Sequence, residues 1–235
     1  HLLRPGVYGT FGGGVAGVLG GLLYGSALAF SYQGSGQGGL SVLVVLVGLN
    51  VLVGLIGALG VSFGLSVPFL FAQPSQIFRI FTAALGGFVV GGLSKLMGLD
   101  AFNLLFGTAP AEMTGAFEGG VLGACLAIGV WIGGGFHNRI HWRPIAGAGF
   151  ACAIAGITIP LLGGVLMGGS LESLATTFSQ SQLRLESLGQ FFGEMQFGAR
   201  TEVVLGGIEG LLFGVCVTSA ILISKRAKSL TAIGG

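Results

Sequence analysis

No charged side chain falls between Arg4 and Arg79, and the residues between them are mostly apolar or glycine. Runs this long without charge fix the solvent, because in lipid the backbone must satisfy its own hydrogen bonds, and only helices and closed barrels do so. A hydrocarbon core of roughly 30 Å calls for about 20 apolar residues per helix. Six segments qualify, near residues 7–31, 40–65, 78–98, 112–134, 145–168 and 203–224. They lack the period-2 alternation of barrel strands and are about twice the length a barrel strand needs. The sequence therefore predicts an all-α membrane protein, one transmembrane domain over 1–235, with six transmembrane helices paired as three hairpins at about 4–66, 78–134 and 143–224.

Composition agrees with that class. Charged residues make up 8% and hydrophobic residues 52%, with 48 glycines, a mixture that could not cover a water-soluble surface with polar groups. Disorder needs low hydrophobicity, so the glycine belongs to packing. A net charge of +2 gives no footprint for nucleic acid. Cys125, Cys152 and Cys216 sit inside apolar runs without metal-ligand spacing and read as buried thiols. The chain opens at His1 without the pattern of a signal peptide, so its N-terminus is expected to be processed, truncated or joined to an upstream domain.

The basic residues orient the spans. Arg4, Arg79, Arg139, Arg143, Lys225, Arg226 and Lys228 fall on the side of the termini, leaving Lys95, Arg184 and Arg200 on or toward the other. The positive-inside rule then predicts cytoplasmic termini, with a bacterial plasma membrane as the expected location. Trp131 and Trp142 flank the basic loop around His137, Arg139 and His141, where aromatic rings would mark an interface. His137 and His141 share a helix face, a spacing that fits a metal or interface anchoring, with anchoring the expected role. Lys95 can snorkel to the headgroups.

Between the fifth and sixth spans, Leu171, Leu174, Phe178, Leu185, Leu188, Phe192 and Met195 recur at helical spacing among Glu172, Arg184, Glu186 and Glu194. This predicts an amphipathic helix over about 170–197, lying in the lipid interface, with capping of the bundle as the alternative. Residues 99–106 read as a shorter segment on the same side.

Internal repetition is the most specific signal. Residues 106–125 and 197–216 align without a gap, matching Phe106/Phe197, Gly107/Gly198, Gly115/Gly206, Glu118/Glu209, Gly119/Gly210, Gly123/Gly214 and Cys125/Cys216. The preceding helices align at a different offset, pairing Arg79 with Arg143 and Gly92 with Gly156, and the discrepancy is about the length of the amphipathic insertion. The last two hairpins are thus expected to be related, the first more distantly, about an axis along the membrane normal.

Glycine stripes indicate how the helices pack. Gly9, Gly13, Gly17, Gly21 and Gly25 recur at every fourth position, as do Gly115, Gly119 and Gly123, and Gly206, Gly210 and Gly214. Such stripes let backbones approach closely and supply the dispersion contacts that replace hydrophobic drive in lipid. The first helix is expected inside the bundle or against a partner chain.

Glu118 and Glu209 lie beside these stripes in a shared Gly-x-x-Glu-Gly-x-x-x-Gly-x-Cys pattern. A charge at the bilayer centre costs about 2.5–3.5 kcal/mol on insertion scales, so both side chains are expected to face inward. They read either as structural carboxyls hydrogen-bonded to a neighbour or as a proton- or cation-binding pair, with Asn50 as a candidate counterpart in the first hairpin. At the level of pattern, a glycine-striped helix followed by a carboxyl-bearing one resembles the rotor-ring proteolipids of V-type ATPases. Here the carboxyls lie toward the hairpin loop and the acidic insertion has no counterpart, so no function is carried across.

No nucleotide-binding loop, nucleophile elbow or zinc-hydrolase helix is present in the sequence, so no enzymatic role, metal or cofactor is expected. Two functions remain. One is an accessory or anchoring module that grips a partner, or a second copy, through glycine-striped helices. The other is a small channel or transporter working through Glu118 and Glu209.

Overall fold

The computed structural model describes residues 3–31, 38–71, 75–136, 142–178, 183 and 185–231. Among the described residues the protein is all-helical, without strands. The helices are α1 (Leu3–Ser31), α2 (Gly38–Ser66), α3 (Gln76–Phe106), α4 (Ala116–Ile132), α5 (Trp142–Leu161), α6 (Met167–Thr177), α7 (Glu186–Phe191) and α8 (Ala199–Thr231). A short 3-10 turn, Val67–Leu70, follows α2. Five of them, α1, α2, α3, α5 and α8, are long and apolar enough to cross a membrane. The fourth expected span is shorter: α4 has 17 residues. At 1.5 Å per residue that is about 25 Å, slightly less than a hydrocarbon core.

Local chemistry sets the helix ends. The Ser75 hydroxyl accepts from the Phe78 N–H at 3.1 Å and starts α3. Gly107, at φ 72°, stops it, its N–H donating to the Asn103 carbonyl. Residues 99–106 therefore belong to α3 and form no separate segment, because no helix-breaking residue precedes Gly107. The expected fifth span, 145–168, is also revised: α5 ends at Leu161, Gly163 turns left-handed at φ 81°, and Gly164 N–H closes back on the Ile159 carbonyl at 2.9 Å. Several hydroxyls inside the helices bond their own preceding turn, as Thr10 does to Gly6 and Ser94 to Val90, and so need no partner in a hydrocarbon, whereas the buried hydroxyls of Ser62 and Thr218 make no such bond.

The long helices and α4 form a closed circuit in which α1 packs on α2, α2 on α3, α3 on α4, α4 on α5, α5 on α8, and α8 on α1. Glycine governs these contacts. In α1, Gly9 faces Ser62, Gly13 faces Gly54 and Ala58, Gly17 faces Asn50 and Val51, Gly21 faces Val47, and Gly25 faces Leu43, so the stripe lies along α2 in antiparallel register. On α4, Gly115 packs on Lys95 and against Gly91, Gly119 on Gly87 and Gly123 on Ala83. On α8, Gly206 packs on Gly156, Gly210 on Cys152 and Gly214 on Ala148. Gly91 approaches Gly115 and Gly156 approaches Gly206, while Gly92 rests on Ala116.

Burial follows the circuit. The apolar window of α1 is 56% buried inside the protein, against 17% for α2 and for α3, whose outward faces are exposed and apolar. Near the chain termini the bundle is filled by Ala58, Val61, Ala83, Leu126, Ala148, Val217 and Ile221. At the opposite end a second cluster joins Tyr24, Leu28, Leu46 and Leu205 to Leu171, Leu185 and Leu188. The insertion therefore caps the bundle, and the expectation of one helix lying in the interface is corrected. It forms two short helices, α6 and α7, whose apolar faces find buried partners on α1, α2 and α8.

Gly17→Leu should lower thermal stability in detergent by about 1–3 kcal/mol or more, because the added side chain meets the backbone of Asn50 and Val51. Val18→Leu should leave it nearly unchanged, since Val18 is 38% exposed. Equal melting of the two variants would contradict this packing.

Candidate functional site

The segment joining α5 to α6 brings Glu118 and Glu209 to one place. After the turn at Gly163 the chain runs through Val165 and an extended Leu166, with φ −101° and ψ −160°, into the first turn of α6. The N–H groups here have no acceptor within a helix, since the opening amides of any helix lack one. Glu118 Oε1 accepts from Val165 N–H at 3.3 Å. Glu209 Oε2 accepts from Met167 N–H at 2.9 Å and its Oε1 from Gly168 N–H at 3.0 Å. Two side chains far apart in sequence thus satisfy the amides of one short segment. The positive end of α6 favours an acceptor there.

The two glutamates differ in their remaining partners. Glu118 stands in the first turn of α4, where Oε2 accepts from the Gly115 N–H at 2.8 Å and closes the start of its own helix. Glu209 lies well inside α8, about 15 Å from Ala199 at 1.5 Å per residue. It needs no role in capping α8, and its Oε1 instead accepts from the Tyr24 hydroxyl of α1. The two carboxyls therefore sit in different environments. The chain before Gly115 is not helical, whereas the chain before Gly206 is already helical, so one motif meets two local structures.

Further contacts fasten α6. The Ser170 hydroxyl accepts from Thr114 N–H at 3.0 Å, and the Ser173 hydroxyl accepts from Glu112 N–H at 2.9 Å. Phe178 lies against Phe102 and Phe106 with ring centroids 5.7 and 5.4 Å away. Glu194 caps the start of α8, where the Thr201 hydroxyl and the amides of Thr201 and Arg200 hold its carboxyl below the usual carboxylate range. Burial, then repulsion from Glu186, raises the Glu172 carboxyl.

Beneath α6 lies a cavity of about 360 Å³. Glu209 and Asn50 stand in its wall, whereas Glu118 does not. Asn50 is buried and donates to the Leu46 carbonyl of its own helix at 2.9 Å. The wall is otherwise mostly glycine and aliphatic or aromatic carbon, and its lower end, at Val61, Leu122 and Phe213, runs into the filled core. Cys152 is buried, Cys125 and Cys216 are half-buried, and all three are free thiols. Among the described residues no group of three His, Cys, Asp or Glu side chains could hold a metal ion. His137 and His141 lie outside the described residues, as do Arg139 and Arg184.

The residue that sequence reasoning missed is Tyr24, fully buried and donating to Glu209. Its signal was available: a hydroxyl on a helix otherwise striped with glycine requires a partner when buried. No protein-family model matches the chain, and neither a curated protein nor a solved structure matches it significantly.

The geometry determines what a Gln substitution does. Both oxygens of Glu209 accept, so Gln would turn an NH₂ donor toward N–H donors. Glu209→Gln should cost about 1–3 kcal/mol and Tyr24→Phe about 1 kcal/mol, read as lowered melting temperature in detergent. Wild-type melting of Glu209→Gln would show that these bonds hold nothing.

Proposed function

We propose that the chain is a six-span membrane module of three antiparallel hairpins, α1–α2, α3–α4 and α5–α8, with both termini cytoplasmic, acting as an accessory or anchoring part of a larger assembly. The observation that carries this reading is the use made of the two carboxyls: all four oxygens accept hydrogen bonds, three of the acceptor contacts coming from Val165–Gly168. Side chains spent on fastening a cap are poor candidates for binding a travelling proton or cation. The core at the terminal end supports the same conclusion, since among the described residues the cavity runs there into packed apolar side chains.

The six-span count takes α4 as a short span completed by its non-helical lead-in, because α4 packs between α3 and α5 in the closed circuit. The three-hairpin reading rests on the shared antiparallel glycine contacts: Gly13 to Gly54, Gly87 to Gly119 and Gly156 to Gly206. Trp131 and Trp142, 52% and 73% exposed at the ends of α4 and α5, suit a belt on the side of the basic residues. With the stripe of α1 already occupied by α2, a partner or second copy would meet outward apolar faces, which are least buried on α2 and α3. A channel or transporter is the second reading, favoured only by Glu209 and Asn50 in the cavity wall.

Two assays on one purified protein test this. Reconstituted in liposomes, the wild type should carry no proton or alkali-cation flux above protein-free controls. Flux that disappears in a folded Glu209→Gln variant would establish the second reading. In a cysteine-free background, Met195→Cys should react with an impermeant maleimide from outside intact cells, and Arg226→Cys only after permeabilisation. Labelling of both from one side would defeat the topology.

A further inference from the structure

The cavity has one weak wall. Its α4–α5 side is closed by the chain itself, with Gly164 lying against Ile159 and Glu118, and Val165 bonded to Glu118. Its α1–α8 side is closed by Tyr24 and Glu209, with Gly168 packed on the Tyr24 hydroxyl and Phe197. Among the described residues nothing equivalent is inserted between α2 and α3. These two helices meet closely where Gly60 faces Gly86 and Gly64 faces Thr82, toward the terminal end. Nearer the cap, Gly57 lines the cavity with open space where a side chain would be, and Leu49, Val53 and Ile56 in the same wall are 39%, 40% and 44% exposed.

The lining also defines what fits. Its polar groups are largely committed: Ser94 donates to the Val90 carbonyl, Asn50 to the Leu46 carbonyl, and the oxygens of Glu209 accept from Tyr24, Met167 and Gly168. Ions and sugars would find few free partners, and a space walled by carbon does not retain water. At about 360 Å³ the cavity is near the lower end of the roughly 300–1,000 Å³ of small-molecule sites, too small for a two-chain lipid.

From the open α2–α3 side, the carbon lining and the volume, we propose that the cavity holds one hydrocarbon chain, inserted from the surrounding bilayer between α2 and α3. The proposal rests on the membrane-spanning reading and adds a ligand to it. The chain would lie along Gly57 and Phe213 beneath α6, filling the space that Gly57 leaves.

The test uses full-length protein in phosphatidylcholine vesicles containing a phospholipid with a diazirine near the end of one acyl chain, and in a parallel arm a free fatty acid with the same group. After illumination, cross-links are mapped by mass spectrometry. Labelling of Leu122 and Phe213 by either reagent supports the site, and the responding arm identifies whether the chain arrives on a phospholipid or as a free amphiphile. Gly57→Phe should place a ring in open space and reduce that labelling about tenfold, equivalent to 1.4 kcal/mol. Labelling of outward Val44 should persist. Ser94→Phe on α3 provides a second block should Gly57→Phe not fold. Labelling of Val44 and Leu52 without the interior positions would overturn the chain site alone. Absence of labelling from every helix would overturn the membrane reading itself.

Discussion

A backbone N–H that leaves a helix inside a membrane protein has no water to turn to, and each unsatisfied group costs several kcal/mol. The segment between α5 and α6 faces that constraint at Val165, Met167 and Gly168, and Glu118 and Glu209 supply its acceptors. With those amides satisfied, the segment can lie between α4 and α5 and direct α6 across the end of the bundle. The position of the cap, the closure of two sides of the cavity and the burial of Tyr24 all follow.

Glycine creates both the tight and the empty parts of the structure. Where Gly13 meets Gly54 or Gly156 meets Gly206, missing side chains let backbones touch, and dispersion with weak Cα–H···O contacts replaces the hydrophobic drive that lipid cannot provide. Where a glycine has no close neighbour, the same economy of side chains leaves volume. At the terminal end Leu126, Val217 and Ile221 fill the middle; beneath the cap Gly20 and Gly57 do not.

The class of fold was legible because hydrophobic length needs no tertiary information. Long apolar runs mark helices directly, and the stripe of α1 showed which face would pack. Boundaries were less legible where polar and apolar signals overlap: residues 99–106 carry Asp100 and Asn103 yet continue α3, and the run 145–168 hides the Gly163 turn. The two glutamates were found from the repeat alone, but their partners are backbone amides, which every non-proline residue carries and which no spacing distinguishes. Their unlike settings were equally hidden, because the start of α4 just after Gly115 and the earlier start of α8 depend on what precedes the shared motif. The amphipathic pattern of the insertion fixed which residues would be buried without fixing whether lipid or protein would bury them.

Amide hydrogen exchange tests the central claim most directly. In the wild-type protein in detergent or nanodiscs, Val165, Met167 and Gly168 should exchange slowly. In a Glu118→Ala/Glu209→Ala double variant they should exchange far faster, while amides around Gly13 and Gly54 keep their protection. Fast exchange of those three amides in the wild type, or protection unchanged in the double variant, would contradict the account.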